Sequence, residues 1–129
     1  MMNRDDVVRW VDGYERSWRS PGTAHLADIF SADVEYRPSP WREAVQGLEA
    51  LARFWETGRD GPDEPFTMTS TVVAVDSDTA VVRLAVEYFG TDRSRWRDLW
   101  VLDFDASGRC RVFEEWPFAP GQRDGHEDD

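Results

Sequence analysis

The chain has 129 residues, a formal net charge of -11, and fifteen arginines with no lysine, enough for one domain that buries about two-thirds of its unfolded surface. That charge makes nucleic acid and anionic membranes poor partners, because their phosphates would be repelled. The absence of lysine excludes Schiff-base chemistry and the lysine of a phosphate-binding loop, and the single cysteine, Cys110, excludes an internal disulfide and a Cys-cluster metal site.

Asn3 is placed to cap a first helix whose opening turn carries Asp5 and Asp6, suited to the positive end of the helix dipole. Val7, Val11, Tyr14 and Trp18 follow at i, i+4, i+7 and i+11, an amphipathic stripe. Ser20-Pro21-Gly22 ends it. Thr23 reads as the N-cap of a short second helix with Leu26, Ile29 and Phe30 on its apolar face. Residues 33–37 alternate like a brief strand, closed by Pro38 and Pro40. Gly47 opens a third helix carrying Leu48, Leu51, Phe54 and Trp55, with Gly58 as C-cap. Residues 59–65 form a Gly/Pro/Asp loop.

From there the chain reads as strand. Residues 66–75, 79–89, 97–105 and 109–116 are β runs, separated by turns at 76–78, 90–95 and 106–108. The last two make a hairpin and are apolar on both faces. In the first of them Leu99 and Val101 point one way, and Trp100, Leu102 and Phe104 the other. Such a sheet needs cover on each side. The order of elements implies an α+β cone, a roll of three N-terminal helices packed on a curved, mainly antiparallel sheet over residues 1–118. Residues 119–129 are expected to be a disordered acidic tail. One face of the sheet can enclose a pocket. The other shows Val81, Ala85, Leu99, Val101 and Val112, a patch suited to a homodimer interface. The polar start MMNRDD and the lack of a long apolar run point to a cytoplasmic protein.

The chemistry concentrates near the end, where Glu114 and Glu115 are adjacent. Alternation sends one to each face, and a register shift of one residue would exchange them. Read inward beside Phe113, Glu115 is an acid/base candidate, provided that Phe113, Trp100, Leu102 and Tyr88 give it an apolar setting that raises its pKa. The alternative is an ion pair with an arginine at the sheet edge. Tyr14 and Trp18 either pack the core or line the pocket, with the Tyr14 hydroxyl as a donor. Tyr36, Trp41, Phe54 and Trp55 flank the expected pocket mouth. Cys110 reads as a small buried hydrophobe. His25 and His126 are too far apart for a histidine-based metal site, while an all-carboxylate site stays open.

The runs FSADVEYRPSPW, GLEALARFWE and LWVLDFDASGRCRVFEEWPF, in this order over residues 4–118, resemble the nuclear transport factor two-like superfamily. Within it they look most like the SnoaL-like branch, with its polyketide cyclases, ketosteroid isomerases and limonene epoxide hydrolases. The resemblance implies a pocket between the concave sheet and the helices, homodimers through the outer face, and a host of chemistries that fold alone does not separate. Ketosteroid isomerases carry a base Asp in the first strand just before a proline; here the stretch is Glu35-Tyr36-Arg37-Pro38. Their proton-donating Asp falls in register with Trp100, and their helical Tyr with Tyr14. The Asp-Arg-Asp network of the epoxide hydrolases has no match. SnoaL-like cyclases place a carboxylate on the final strands, where Glu115 stands. The expectation is a cofactor-independent pocket protein that handles a small, largely apolar molecule. Glu115 and Tyr14 would serve proton transfer (isomerisation, cyclisation or dehydration), with Trp18, Tyr36, Trp41, Phe54, Trp55, Tyr88, Trp100 and Phe113 around the ligand. The other expectation is a non-catalytic ligand-binding or dimerisation module.

Overall fold

The computed structural model describes residues 1–59, 61–91 and 93–126. Helix α1 (Arg4–Trp18) opens on a reciprocal cap: the Asn3 side chain accepts from the Asp6 amide at 2.8 Å, and Asp6 accepts from the Asn3 amide at 3.0 Å. Its inner face buries Val7, Trp10, Val11 and Tyr14. Trp10 was not on the expected stripe, yet it is the centre of the aromatic core. Its ring lies 5.5 Å from Phe30, 5.6 Å from Phe104 and 6.1 Å from Trp100, each edge-on, and its Nε1 donates to the Ile29 carbonyl at 2.8 Å. Helix α2 (Leu26–Ile29) is a single turn whose N-cap is His25 rather than Thr23, so the expected three helices are two and a turn.

Strand β1 (Phe30–Arg37) begins three residues earlier than the alternation indicates, because Phe30 turns extended and buries its ring. It pairs with β2 (Val45–Gln46), a two-residue strand that sequence reading missed. Helix α3 (Leu48–Gly58) starts from Gly47, whose φ of 85° favours glycine, and runs through Gly58 instead of ending before it. The cap is Arg59, and its guanidinium is buried. Its Nη atoms donate to the carbonyls of Ser17 (3.2 Å), Trp18 (2.6 Å) and Gly22 (3.1 Å), and to Glu56 at 2.7 Å. One side chain thus ties the C-terminal ends of α1 and α3 together.

The four expected long strands are β3 (Phe66–Asp76), β4 (Thr79–Tyr88), β5 (Ser94–Phe104) and β6 (Cys110–Phe118), an antiparallel meander. Arg95, expected in a turn, already lies in β5. Asp105 builds the β5–β6 turn by accepting the Ser107 and Arg109 amides at 2.9 and 3.1 Å. The six strands lie in the order β2-β1-β6-β5-β4-β3, and β1 runs parallel to β6. Register breaks at 72–74 in β3 and at 110–112 in β6, opposite Asp103 and Phe104, bend the sheet. The result is an α+β fold with a mixed, curved, open sheet. The buried cluster joins Val7, Trp10 and Tyr14 of α1 and Leu51 and Trp55 of α3 to Val82, Leu84, Trp100, Leu102 and Phe113 on the concave face. The last three residues of the expected tail lie outside the described residues.

Candidate functional site

The helices do not fill the whole concave face. A cavity of about 340 Å³ remains at one end, between α1, α3 and strands β3–β6. Helix α1 contributes Tyr14 and Trp18, the end of β1 and its loop Tyr36, Pro38 and Arg42, and α3 Phe54. The sheet supplies Phe66, Met68, Val86, Tyr88, Trp96, Trp100 and two carboxyls, Asp98 and Glu115.

Register explains why these two carboxyls meet. Trp100 lies opposite Glu115, and Asp98 opposite Pro117, so residues 98, 100, 113 and 115 share the concave face and Asp98 is the diagonal neighbour of Glu115. Glu114 is opposite Val101 and takes the outer face, which settles the open choice between the two glutamates. The Asp98 and Glu115 carboxyls lie close enough on this face for each to shift the other. Burial pushes Glu115 well above its ordinary value, and the charge of Asp98 pushes it the same way. Burial also raises Asp98. Two carboxyls in such contact do not both ionise easily, and Glu115 is the one pushed well above its ordinary value. Trp100 Nε1 lies near enough to Glu115 to oppose its rise, but short of hydrogen-bond geometry. Asp98 is 8 % exposed, and its Oδ1 has no amide, hydroxyl or guanidinium donor among the described residues.

A second polar pair stands beside the first. The Tyr14 and Tyr36 hydroxyls are 3.2 Å apart. Burial raises both phenols, so both stay neutral donors at neutral pH. Their rings are held by Phe113, which stacks on Tyr36 at 4.3 Å and on Tyr14 at 5.7 Å, parallel to both within 1°.

Of the residues singled out from the sequence, Glu115, Tyr14, Trp18, Tyr36, Phe54, Tyr88 and Trp100 lie in the cavity wall. Phe113 and Trp55 do not reach it; both are fully buried beneath the wall, Trp55 packing edge-on against Trp18 at 4.8 Å. Trp41 is 98 % exposed and borders a different groove, with Arg37, Pro40, Glu114 and Trp116. Asp98 was missed. Its signal was available, since it has the same parity as Trp100 and Leu102 and therefore faces inward with them. The proton-donating position of ketosteroid isomerases falls on Trp100, and Asp98 is one same-face step before it.

A family model described as "SnoaL-like domain" matches residues 7–113. The chain belongs to the SnoaL-like domain family. A search of curated proteins finds no match for it. Among solved structures, this SnoaL-like chain resembles SalBIII, an epoxide hydrolase/cyclase-like enzyme in pyran ring formation in the polyether salinomycin, with a TM-score of 0.74 at 14% identity over 92% of this chain and 95% of that one. An epoxide hydrolase of Mycobacterium tuberculosis related to LEH gives a TM-score of 0.66 at 11% identity, over 88% and 84%. A computationally designed 17-OHP binder gives 0.69 at 16% identity, over 91% and 98%. At these identities the likeness concerns the fold.

Proposed function

We propose that this SnoaL-like chain binds a small, largely apolar molecule in the cavity and moves a proton on it without a cofactor. The observation that carries this reading is the side-by-side placing of the Asp98 and Glu115 carboxyls in an aromatic wall, beside the Tyr14–Tyr36 hydroxyls. A carboxyl that keeps its proton near neutral pH is a general acid, and its ionised neighbour is a base. Glu115 gives the proton, Asp98 accepts one, and Tyr14 donates a hydrogen bond to an oxygen that gains charge. Isomerisation, cyclisation and dehydration all need this set. The epoxide hydrolase/cyclase-like structure on the same fold supports the assignment.

A second reading, binding without turnover, draws on a different observation. Tyr36 faces the cavity, so alternation turns Glu35, the carboxylate in the strand stretch where the isomerases carry their base, away from it. A designed binder on this fold supports that reading. In both, a second copy of the chain covers the outer sheet face, where Leu99, Trp116 and Phe118 are exposed.

A thermal-shift screen of small apolar metabolites on wild type and Glu115→Gln separates the readings. A ligand at 100 times its Kd stabilises by about 2.7 kcal/mol. The expected result is a hit that binds both proteins and is turned over by wild type alone. Equal turnover by Glu115→Gln overturns the role of Glu115; a hit that neither protein converts favours binding alone. No hit on either folded protein overturns the pocket.

A further inference from the structure

We propose that the molecule bound in this pocket is a hydrophobic amine in its protonated form, its ammonium group seated against Asp98 and Glu115. This rests on the reading of the cavity as a ligand pocket and adds the charge of the ligand to it.

The argument begins with what the carboxyl pair lacks. Asp98 and Glu115 stand side by side in a largely apolar wall, where an ionised Asp98 carries an uncompensated negative charge. No arginine, histidine or amino terminus lies within ion-pair distance of either among the described residues. A buried carboxylate without a cation is costly, and ordinary folds pair it. Asp98 is more than nine-tenths buried, and its Oδ1 is without a donor. Fifteen arginines are present in the sequence, yet the one that borders the cavity, Arg42, is an exposed side chain 5.6 Å from the Phe54 ring and makes no ion pair with either carboxyl. The unfilled position therefore calls for a positive group with hydrogens to donate.

The wall around that position is the surface that receives an ammonium best. Trp18, Trp96, Trp100 and Tyr88 line it, and aromatic faces attract cations within about 6 Å. The net charge of -11 draws cations to the molecule as a whole. A neutral alcohol also has a hydrogen for Asp98 Oδ1, but it leaves the negative charge uncompensated. An anionic ligand would meet that charge directly. An amine on an apolar frame satisfies the acceptor, the charge and the rings at once.

The test compares 4-phenylbenzylamine, protonated at neutral pH, with 4-phenylbenzyl alcohol, which has the same frame and a donor but no charge. Calorimetric titration at pH 7 on wild type is expected to give at least tenfold tighter binding for the amine. In Asp98→Asn that advantage is expected to fall to threefold or less. Binding of the alcohol as tight as the amine in wild type overturns the ammonium assignment and leaves the pocket reading standing. Binding of neither overturns both. Should Asp98→Asn fail to fold, Glu115→Gln serves: its singly charged site is expected to keep an amine preference that added salt to 0.5 M reduces severalfold, and a preference insensitive to salt speaks against a charge-based site.

Discussion

Glu115 is an ordinary side chain in an unusual place, and its behaviour follows from the one residue diagonal to it. Burial and the Asp98 charge raise its pKa above the ordinary 4.5, so the folded chain holds this proton more tightly than the unfolded chain does. The contribution to stability is therefore complete below about pH 4.5 and is lost as pH rises through the folded-state value. Glu115→Gln makes the neutral form permanent. Its thermal midpoint should match wild type near pH 4 and rise above it with increasing pH, by roughly 3–6 °C for each kcal/mol. A gap that stays constant from pH 4 to 8 would put the proton elsewhere. Asp98→Asn removes the neighbouring charge, so carboxyl-carbon NMR should show Glu115 titrating at lower pH in this variant than in wild type. A Glu115 that titrates near 4.3 in wild type would deprive the site of its acid.

At the scale of elements, the cavity depends on how α1 and α3 are pinned at their C-terminal ends. Arg59 does this with a buried guanidinium that satisfies three carbonyls left over at the end of α1 and the following turn. Trp18, Gly58 and Phe54, all in the cavity wall, hang on that junction. Hydrogen bonds to a charged group contribute about 1.5–3 kcal/mol each when buried. Arg59→Met keeps much of the volume and is expected to lose about 3 kcal/mol in urea unfolding and to weaken ligand binding. A loss under about 1 kcal/mol would mean that water replaces the guanidinium. The same junction shows why a glycine was the wrong stop signal: the chain leaves α3 through an extended Arg59 whose side chain turns back to cap α1.

For the molecule as a whole, the outer sheet face is the open question of assembly. Leu99 (37 %), Trp116 (38 %) and Phe118 (47 %) are exposed on β5 and β6, large apolar side chains on the face that also carries Val81, Ala85, Val101 and Val112. A second copy covering them predicts a sedimentation mass twice the 14.9 kDa of one chain at micromolar concentration. Leu99→Glu should return it to one chain with unchanged circular dichroism, and a wild-type mass of one chain excludes the dimer. No helix among the described residues is long and apolar enough to cross a membrane.

The sequence alone carried the element order, the meander of β3–β6 and the inward direction of Tyr14, Trp100 and Glu115. Each follows from periodicity or alternation within a few neighbouring residues. It also carried the family, through short runs whose order is the fold. Contacts between distant segments were beyond its reach. The parallel pairing of β1 with β6, the two-residue β2, the central place of Trp10 and the buried bridge of Arg59 rest on partners 9 to 94 positions away. The carboxyl pair lies between these cases. Parity put Asp98 on the concave face, but its meeting with Glu115 required the β5–β6 register, which the turn at Asp105 sets. Tertiary structure likewise separated the aromatics that bound space, such as Trp18 and Tyr36, from those that fill it, Trp55 and Phe113. A helical or strand pattern says which way a side chain points, and only the opposing element decides whether anything meets it there.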